Sequence, residues 1–305
     1  MPRAPARPAC IGIFAPSGRV DPERLREGIA RLESAGHRVV IAEEVLREWR
    51  YFAGPDEARL TGFHRLLEDP RIDIMLAARG GYGLSRILPA IDWDRVGASG
   101  KAFVGFSDFT AFSCAALARA GLATLHGPML TSDFGDGEPD EFMVRHFEAT
   151  LFGAEDAVKV EVAHGFAPGA LRGPLWGGNL SLLAHLAGTP YMPAVAGGIL
   201  YVEEIAEEPY AVERMLLQLF HAGILQQQRA VLLGDFRDCV PTNTARYPYC
   251  MDEAIGTLRA ILPCPVLAGL PIGHVARKLT LPFGVEAELQ LHASGWTLRW
   301  PGLGR

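Results

Sequence analysis

Three residues far apart in the chain, Ser107, Glu203 and His274, have the side-chain types of a nucleophilic hydrolytic site. Each follows an apolar run of the kind that forms a buried strand or its exit turn. A serine hydroxyl becomes a strong nucleophile when an imidazole removes its proton, and a carboxylate can orient that imidazole. The three side chains therefore predict acyl-transfer chemistry if the fold brings them together.

The surroundings of Ser107 allow two interpretations. The residue lies between an apolar run that predicts a strand and a segment that predicts a helix. A tight turn at such a position exposes a serine hydroxyl and directs the next backbone N–H groups towards an oxyanion. Only half of the G-x-S-x-G pattern is present, because Phe109 replaces the second glycine. The alternative, which the local sequence favours, is a helix cap in which Ser107 or Asp108 accepts backbone N–H bonds.

The local sequence does not decide which carboxylate and which imidazole belong to the site. Glu203 and Glu204 are adjacent, and side chains alternate along a strand, so one could orient an imidazole while the other is solvated or caps a helix. His274 follows Gly273 in a predicted loop, but nothing local distinguishes it from His126, which precedes Gly127.

The glycine-rich segment Arg79-Gly-Gly-Tyr-Gly83 predicts a tight turn. It lacks the G-x-G-x-x-G spacing of a dinucleotide site, and no P-loop lysine follows it. Its unobstructed N–H groups favour close approach to a substrate or oxyanion, with Arg79 pairing with a substrate carboxylate. No cluster of His, Asp or Glu has metal-ligand spacing, so the sequence predicts a metal-independent mechanism without a cofactor.

The elements that position these residues alternate between strand and helix in the first half of the chain. This alternation predicts a parallel sheet with crossover helices, and ligands bind such sheets at the carboxyl ends of the strands, where the glycine-rich turn and Ser107 fall. The predicted strands are 11–15, 39–42, 72–77 and 102–106, and the main predicted helices are the one capped by Asp21, 56–67 and 109–120.

The second half predicts a mixed α/β arrangement with antiparallel strands over 279–300. At 305 residues the chain is long enough for two cores. We predict an N-terminal α/β domain over 1–135, a connecting segment over 136–170 with a helix near 141–151, and a C-terminal domain over 171–305 that carries Glu203 and His274.

Composition excludes several classes of protein. The net charge of −6 is spread along the chain without a basic run, which argues against a nucleic-acid partner. Five cysteines form no C-x-x-C pair and leave one unpaired, as expected of reduced thiols. Apolar stretches are interrupted well before the roughly 18 residues of a spanning helix, so we expect no membrane partner and a cytoplasmic location.

Taken together, the motifs resemble those of the LD-carboxypeptidases, serine peptidases that remove the terminal D-alanine from murein tetrapeptide during cell-wall recycling. The resemblance covers nearly the whole chain and is greatest to the cytoplasmic members that act on that tetrapeptide. The motifs that carry it are Ala15-Pro-Ser-Gly18, Arg79-Gly-Gly-Tyr-Gly83, Gly105-Phe-Ser-Asp-Phe-Thr110, Gly127-Pro-Met129, Leu175-Trp-Gly-Gly-Asn179, Val202-Glu203, Glu213-Arg-Met-Leu-Leu-Gln218, Gly273-His274 and Leu279-Thr-Leu-Pro282.

The resemblance implies a role for each site residue and a particular architecture. Ser107 matches the nucleophile, His274 the general base and Glu203 the carboxylate, although the family usually has Glu-Asp where this chain has Glu203-Glu204. The implied fold is a Rossmann-like, parallel-sheet N-terminal α/β domain and a smaller C-terminal mixed α/β domain with the active site between them, commonly as a homodimer. The remaining roles it implies are Asp108 and Gly81 for the backbone oxyanion hole, with either glycine of the Gly80-Gly81 turn possible, and Arg79, Trp176 and Asn179 for substrate binding.

Two rival functions remain open from the sequence. Some members of the same family cleave an antibiotic peptide–nucleotide conjugate of the microcin C type and confer immunity. A non-catalytic module that binds a small ligand is the other rival, with Ser107 as a cap and the glycine-rich turn as a ligand loop.

Overall fold

A computed structural model describes residues 4–153, 155–246 and 248–304 as two β-sheets with helices packed against them. The strands are β1 Cys10–Phe14, β2 Arg38–Ile41, β3 Ile74–Ala77, β4 Ala102–Gly105, β5 Thr124–His126, β6 Asp156–Val160, β7 Gly169–Asn179, β8 Ile199–Ile205, β9 Ala230–Arg237, β10 Val266–Ala268, β11 Leu281–Phe283, β12 Val285–His292 and β13 Gly295–Trp300. The α-helices are α1 Pro22–Ser34, α2 Asp56–Glu68, α3 Leu84–Ile87, α4 Trp93–Ala98, α5 Phe109–Ala120, α6 Glu141–Leu151, α7 Leu180–Leu186, α8 Pro209–His221 and α9 Met251–Ile261.

The first sheet has the strand order β11-β5-β4-β3-β1-β2. Strands β1 to β5 pair in parallel. The alternation of strands and helices predicts this for β1 to β4, and β5 is a further strand that the pattern does not predict. The turn after β3 and the turn after β4 therefore lie next to each other at the carboxyl edge, which brings Arg79–Gly83 beside Ser107.

The second sheet is mixed, with the order β10-β9-β8-β7-β12-β13-β6. Strands β7 to β10 are parallel, and β12, β13 and β6 extend the sheet in antiparallel pairs. The mixed α/β fold with parallel strands in the first sheet confirms the predicted fold class. Among the described residues, no helix is long and apolar enough to cross a membrane.

Two strands connect regions that lie apart in the sequence. Strand β11, late in the chain, pairs antiparallel with β5 in the first sheet, with Leu281 opposite His126. Strand β6, inside the predicted connecting segment, pairs with β13 in the second sheet, while the helix predicted within the same segment is observed as α6. Both pairings join distant residues, so no local pattern indicates them. The domain limits themselves stay a prediction.

Candidate active site

The turn after β4 holds Ser107 in a conformation unusual for a serine. Its φ is +60°, in the left-handed region that residues with a Cβ rarely adopt. The preceding Gly105 has no room for a side chain, since a Cβ there would lie 2.6 Å from the Phe109 ring. The short exit from β4 into α5 therefore projects the half-buried Ser107 hydroxyl away from the sheet, as in strained nucleophile turns.

A continuous chain of hydrogen bonds joins the three predicted residues. His274 Nε2 accepts from Ser107 Oγ at 3.0 Å, and His274 Nδ1 donates to Glu203 Oε2 at 2.9 Å. Glu203 is fully buried, whereas the His274 side chain is 19% exposed. This geometry gives a base within reach of a hydroxyl, and a carboxylate that fixes the tautomer of the base.

The structure does not support the helix-cap interpretation of Ser107. The Ser107 hydroxyl is hydrogen-bonded to His274, and Asp108, the residue before α5, makes no side-chain cap bond to that helix. The Asp108 carboxylate instead accepts from Ser17 Oγ at 2.5 Å and from Leu84 N–H at 2.9 Å. It thereby ties the turns after β1, β3 and β4 together, and its burial raises its pKa.

The loop that carries His274 reaches Ser107 because of the pairing between β11 and β5. The loop leaves β10, and Asp235 N–H donates to Ile272 O at 2.9 Å before Gly273, at φ +121°, turns the chain. A Cβ at Gly273 would lie 3.4 Å from the Glu203 Cβ, so the glycine allows a close approach of the two segments. β11 then places the other end of the loop beside the first sheet.

The two adjacent glutamates have separate partners. The register of β8 against β9 shifts between Val202 and Glu204, and such a bulge re-aims a side chain. Glu203, predicted at the tip of a strand, lies within β8 at this bulge and faces His274. Glu204 is also buried, and it accepts from Ser181 N–H at 2.7 Å at the start of α7. Geometry therefore pairs the imidazole with Glu203, and Glu204 caps a helix.

The glycine-rich turn lies against the nucleophile. A Cβ at Gly80 would be 3.0 Å from Ser107 Oγ, so only glycine leaves the hydroxyl unobstructed. Gly81 has φ +96°, which also favours glycine. Within the described part of the chain, neither the Gly81 N–H nor the Asp108 N–H donates to another residue. Unpaired backbone N–H groups near a nucleophile are the kind of donor that an oxyanion hole requires.

The predicted substrate-binding residues lie in different environments. Arg79 is exposed, donates to Arg19 O at 2.8 Å and forms no ion pair with a described carboxylate, so its charge is available to a ligand. Trp176 is 1% exposed and donates to Gln228 Oε1 at 3.0 Å. This core position differs from the predicted place on the cleft wall, because the residue points into the packed interior of the second sheet.

Asn179 is also buried, 3% exposed, and acts through its neighbours. Its side chain donates to Glu204 at 2.9 Å and accepts from Leu182 N–H, which caps α7, and its own N–H donates to Thr110 Oγ1. The structure thus places Asn179 behind the site as support, rather than on the cleft wall where the resemblance puts it.

Tyr51 is a neighbour of the site that the sequence did not indicate. Its hydroxyl oxygen lies 2.6 Å from where a Gly81 Cβ would be, and 49% of the residue is exposed. Tyr82, in the glycine-rich turn, is also exposed, and both rings pack on Phe52 at centroid distances of 5.5 and 5.9 Å. A tyrosine in a segment between elements carries no local signal that marks it as close to a nucleophile.

His126, the competing histidine, lies in the interior. It is 4% exposed, and its ring packs on Tyr201 and Phe106 at 5.2 and 6.0 Å. Burial, with smaller contributions from the charges of Lys278 and His274, lowers its pKa to about 3. It is therefore neutral at physiological pH. No group of three or more His, Cys, Asp or Glu side chains among the described residues could hold a metal ion.

A two-sheet α/β fold with a serine–imidazole–carboxylate chain at the sheet edge is the architecture of a serine hydrolase. Models of the LD-carboxypeptidase N-terminal and C-terminal domains match residues 11–127 and 172–289. The chain therefore belongs to the LD-carboxypeptidase family.

Individual relatives match along nearly the whole length. A Streptomyces coelicolor protein is 40% identical, over 97% of this chain and 94% of its own length. A murein tetrapeptide carboxypeptidase of Pseudomonas aeruginosa is 32% identical, over 95% and 94%. The crystal structure of a muramoyltetrapeptide carboxypeptidase from Oxalobacter formigenes superposes with a TM-score of 0.89 at 41% identity, over 96% of this chain and 99% of that one.

Proposed function

We propose that this protein is a serine LD-carboxypeptidase that releases the terminal D-alanine from murein tetrapeptide, L-Ala-γ-D-Glu-meso-diaminopimelate-D-Ala, in peptidoglycan recycling. The observation that carries the proposal is the hydrogen-bonded chain from Ser107 through His274 to the buried Glu203. Relatives named for murein tetrapeptide and muramoyltetrapeptide support the substrate.

In the proposed mechanism, His274 Nε2 takes the proton of Ser107 as its oxygen attacks the carbonyl at the L-configured centre of diaminopimelate. The oxyanion accepts hydrogen bonds from the Asp108 and Gly81 N–H groups, while Glu203 stabilises the imidazolium. His274 then protonates the amine of D-alanine, the C–N bond breaks and an acyl-serine remains. Water, deprotonated by His274, hydrolyses this ester and returns the serine to its starting state.

Arg79 is the proposed partner of a substrate carboxylate. It lies one residue before Gly80, whose backbone adjoins the nucleophile, and its guanidinium has no ion-pair partner among the described carboxylates. A carboxypeptidase must recognise the free carboxylate of the residue it releases, and a guanidinium is well suited to that group. We assign Arg79 to the D-alanine carboxylate. The exposed Tyr51 and Tyr82 extend the surface around this position.

A substrate panel tests the proposal. Purified protein is incubated with the tetrapeptide, with the pentapeptide that ends in D-Ala-D-Ala, and with an aminoacyl-sulfamoyl adenosine, and products are measured by mass spectrometry. We expect D-alanine from the tetrapeptide, whose scissile bond joins an L to a D centre, and none from the pentapeptide. Cleavage of the sulfamoyl adenosine alone would replace the proposal with a microcin-type immunity function. Binding without any cleavage would favour the small-ligand module.

Two further expectations follow from the recycling role and the family resemblance. The protein should act in the cytoplasm, where recycled muropeptides are trimmed, and it should be a homodimer. Fractionation of cells followed by immunoblotting, and light scattering of the purified protein, measure these properties independently of activity.

A further inference from the structure

A buried ion pair lies beside the candidate site and joins the two halves of the chain. Lys278 Nζ is 2.6 Å from Asp133 Oδ1, and the two side chains are only 5% and 3% exposed. Lys278 lies four residues after His274 in the same loop, whereas Asp133 lies in a π-helical turn, Leu130–Phe134, soon after β5. Asp133 Oδ2 is held in turn by the Met129 N–H at 2.8 Å.

The ammonium group also contacts the residue next to the nucleophile. Lys278 Nζ lies 3.9 Å from the centroid of the Phe106 ring, and Phe106 immediately precedes Ser107. The Phe106 ring also packs against His274, whose imidazole is 5.0 Å away at an interplanar angle of 61°. The cation, the aromatic ring and the imidazole are therefore packed in contact, and the ring belongs to the residue next to the nucleophile.

Stability alone does not account for a buried pair at this position. Two charges removed from water lose more hydration energy than a pair of apolar residues, and an apolar replacement is often neutral or stabilising. Here the pair fixes the His274 loop to the first half of the chain, on which Ser107 lies. Serine activation depends on a hydrogen bond between groups from those two regions, and misplacement by about 1 Å can lower turnover roughly 100-fold.

We propose that Lys278 and Asp133 are positioning residues that hold the His274 loop in register with Ser107. This inference rests on the proposed function for its kinetic part. Removing either partner alone leaves the other charge buried without its ion pair, and removing both leaves the loop without this polar link to the first half of the chain.

The test compares Lys278→Met, Asp133→Asn and the double variant, with Lys159→Met as the control, since Lys159 forms an exposed ion pair with Glu161. The NMR chemical shifts of the His274 ring protons, assigned with His274→Gln, report the position of the imidazole against the Phe106 ring, whose centroid is 5.0 Å away. They should change in both single variants and in the double variant, because the loop moves, and stay unchanged in the control.

Kinetics on murein tetrapeptide supply the second readout. Both single variants and the double variant should lower kcat by about 10- to 100-fold, with KM changed less than about 2-fold, because the alignment of reacting groups is lost while binding is kept. Unchanged His274 ring shifts in all three variants would overturn the inference, as would wild-type kcat in the double variant.

Two features of the design keep its outcomes separate. If the wild type releases no D-alanine, the proposed function fails, and the His274 ring shifts still decide the role of the ion pair. If a single variant does not fold, Lys278→Arg replaces it, and retention of both the wild-type ring shifts and kcat is then expected. Altered ring shifts with wild-type kcat in that variant would contradict the inference.

Discussion

The adjacent residues Glu203 and Glu204 have different partners, so removing the charge of each should have a different effect. Replacing each by glutamine keeps its shape and removes its charge. Glu204 accepts four hydrogen bonds, from the Asn179 side chain, the Ser181 N–H and hydroxyl, and the Ile205 N–H. Glu203 accepts a single one, from His274, and its Oε1 has no partner among the described residues.

The magnitudes follow from these partners. A glutamine at position 204 would replace one of the two carboxylate oxygens with an NH2 group, which cannot accept a hydrogen bond. Both oxygens now accept from buried N–H groups, so at least one N–H loses its acceptor whichever way the amide is turned. Hydrogen bonds to charged groups contribute about 1.5–3 kcal/mol each, and a rotated Ser181 hydroxyl regains part of one. We expect Glu204→Gln to lower the free energy of unfolding by about 2–4 kcal/mol. Its turnover, measured below the unfolding transition, should fall only modestly.

Glu203→Gln should show the opposite pattern. The amide oxygen can still accept from His274 Nδ1, and no second donor loses its acceptor, so the free energy of unfolding should change by about 1 kcal/mol or less. The negative charge that stabilises the imidazolium is lost, and kcat should fall by about 100- to 10,000-fold. Urea unfolding followed by circular dichroism, and D-alanine release at saturating tetrapeptide, measure the two quantities on the same preparations.

An inactive Glu204→Gln with wild-type stability, together with an active Glu203→Gln, would mean that Glu204 orients the imidazole in solution. Loss of both stability and activity in each variant would mean that the two carboxylates act as a single network.

Three other perturbations have defined outcomes. Gly80→Ala would place a methyl group 3.0 Å from Ser107 Oγ, so kcat should fall at least about 10-fold with little loss of stability. The control is Gly256→Ala, where a Cβ meets nothing within 4 Å. His126 has its pKa lowered to about 3, so the unfolded chain binds the extra proton as the pH falls below about 6.5. The stability linked to this histidine is therefore present above that pH and lost below it. In urea unfolding, the free energy of unfolding of the wild type should be about 1.4 kcal/mol lower at pH 5.5 than at pH 7.5, and His126→Asn should lack this difference. Arg79→Met should raise KM for the tetrapeptide about 10-fold, and the same variant should have little further effect on a substrate that ends in D-alaninamide.

Each of these three predictions has a contrary outcome. Normal turnover in Gly80→Ala would mean that the turn relaxes away from the serine. A pH dependence of stability identical in His126→Asn and the wild type would mean that this histidine is protonated without penalty. If the effects of Arg79→Met and of the D-alaninamide substrate on KM were fully additive, the guanidinium would bind another carboxylate.

Much of the first sheet could be predicted from the sequence because its signals are local. Continuous apolar runs followed by helical patterns indicate parallel strands, and helix α5 begins and ends where the pattern predicts. The same local logic placed Ser107 and the glycine-rich turn at one edge of the sheet. Asp21 caps α1 as its position predicts.

The parts that the sequence could not indicate depend on contacts between distant residues. The approach of His274 to Ser107 requires β11 to join β5, and the choice of Glu203 over Glu204 requires a bulge that forms only when β8 pairs with β9. The buried indole N–H of Trp176 has its hydrogen-bond acceptor in Gln228, 52 positions away. Until those pairings were known, family resemblance rather than local pattern distinguished His274 from His126.

Single-turnover release of D-alanine tests whether Ser107 attacks the substrate with His274 as its base. Excess enzyme is mixed with murein tetrapeptide in the presence of a chelator, for the wild type, Ser107→Ala and His274→Ala, each checked for folding by circular dichroism. We predict rapid release by the wild type and a loss of at least about 1,000-fold in both variants. Release by Ser107→Ala at a rate close to that of the wild type would contradict the account.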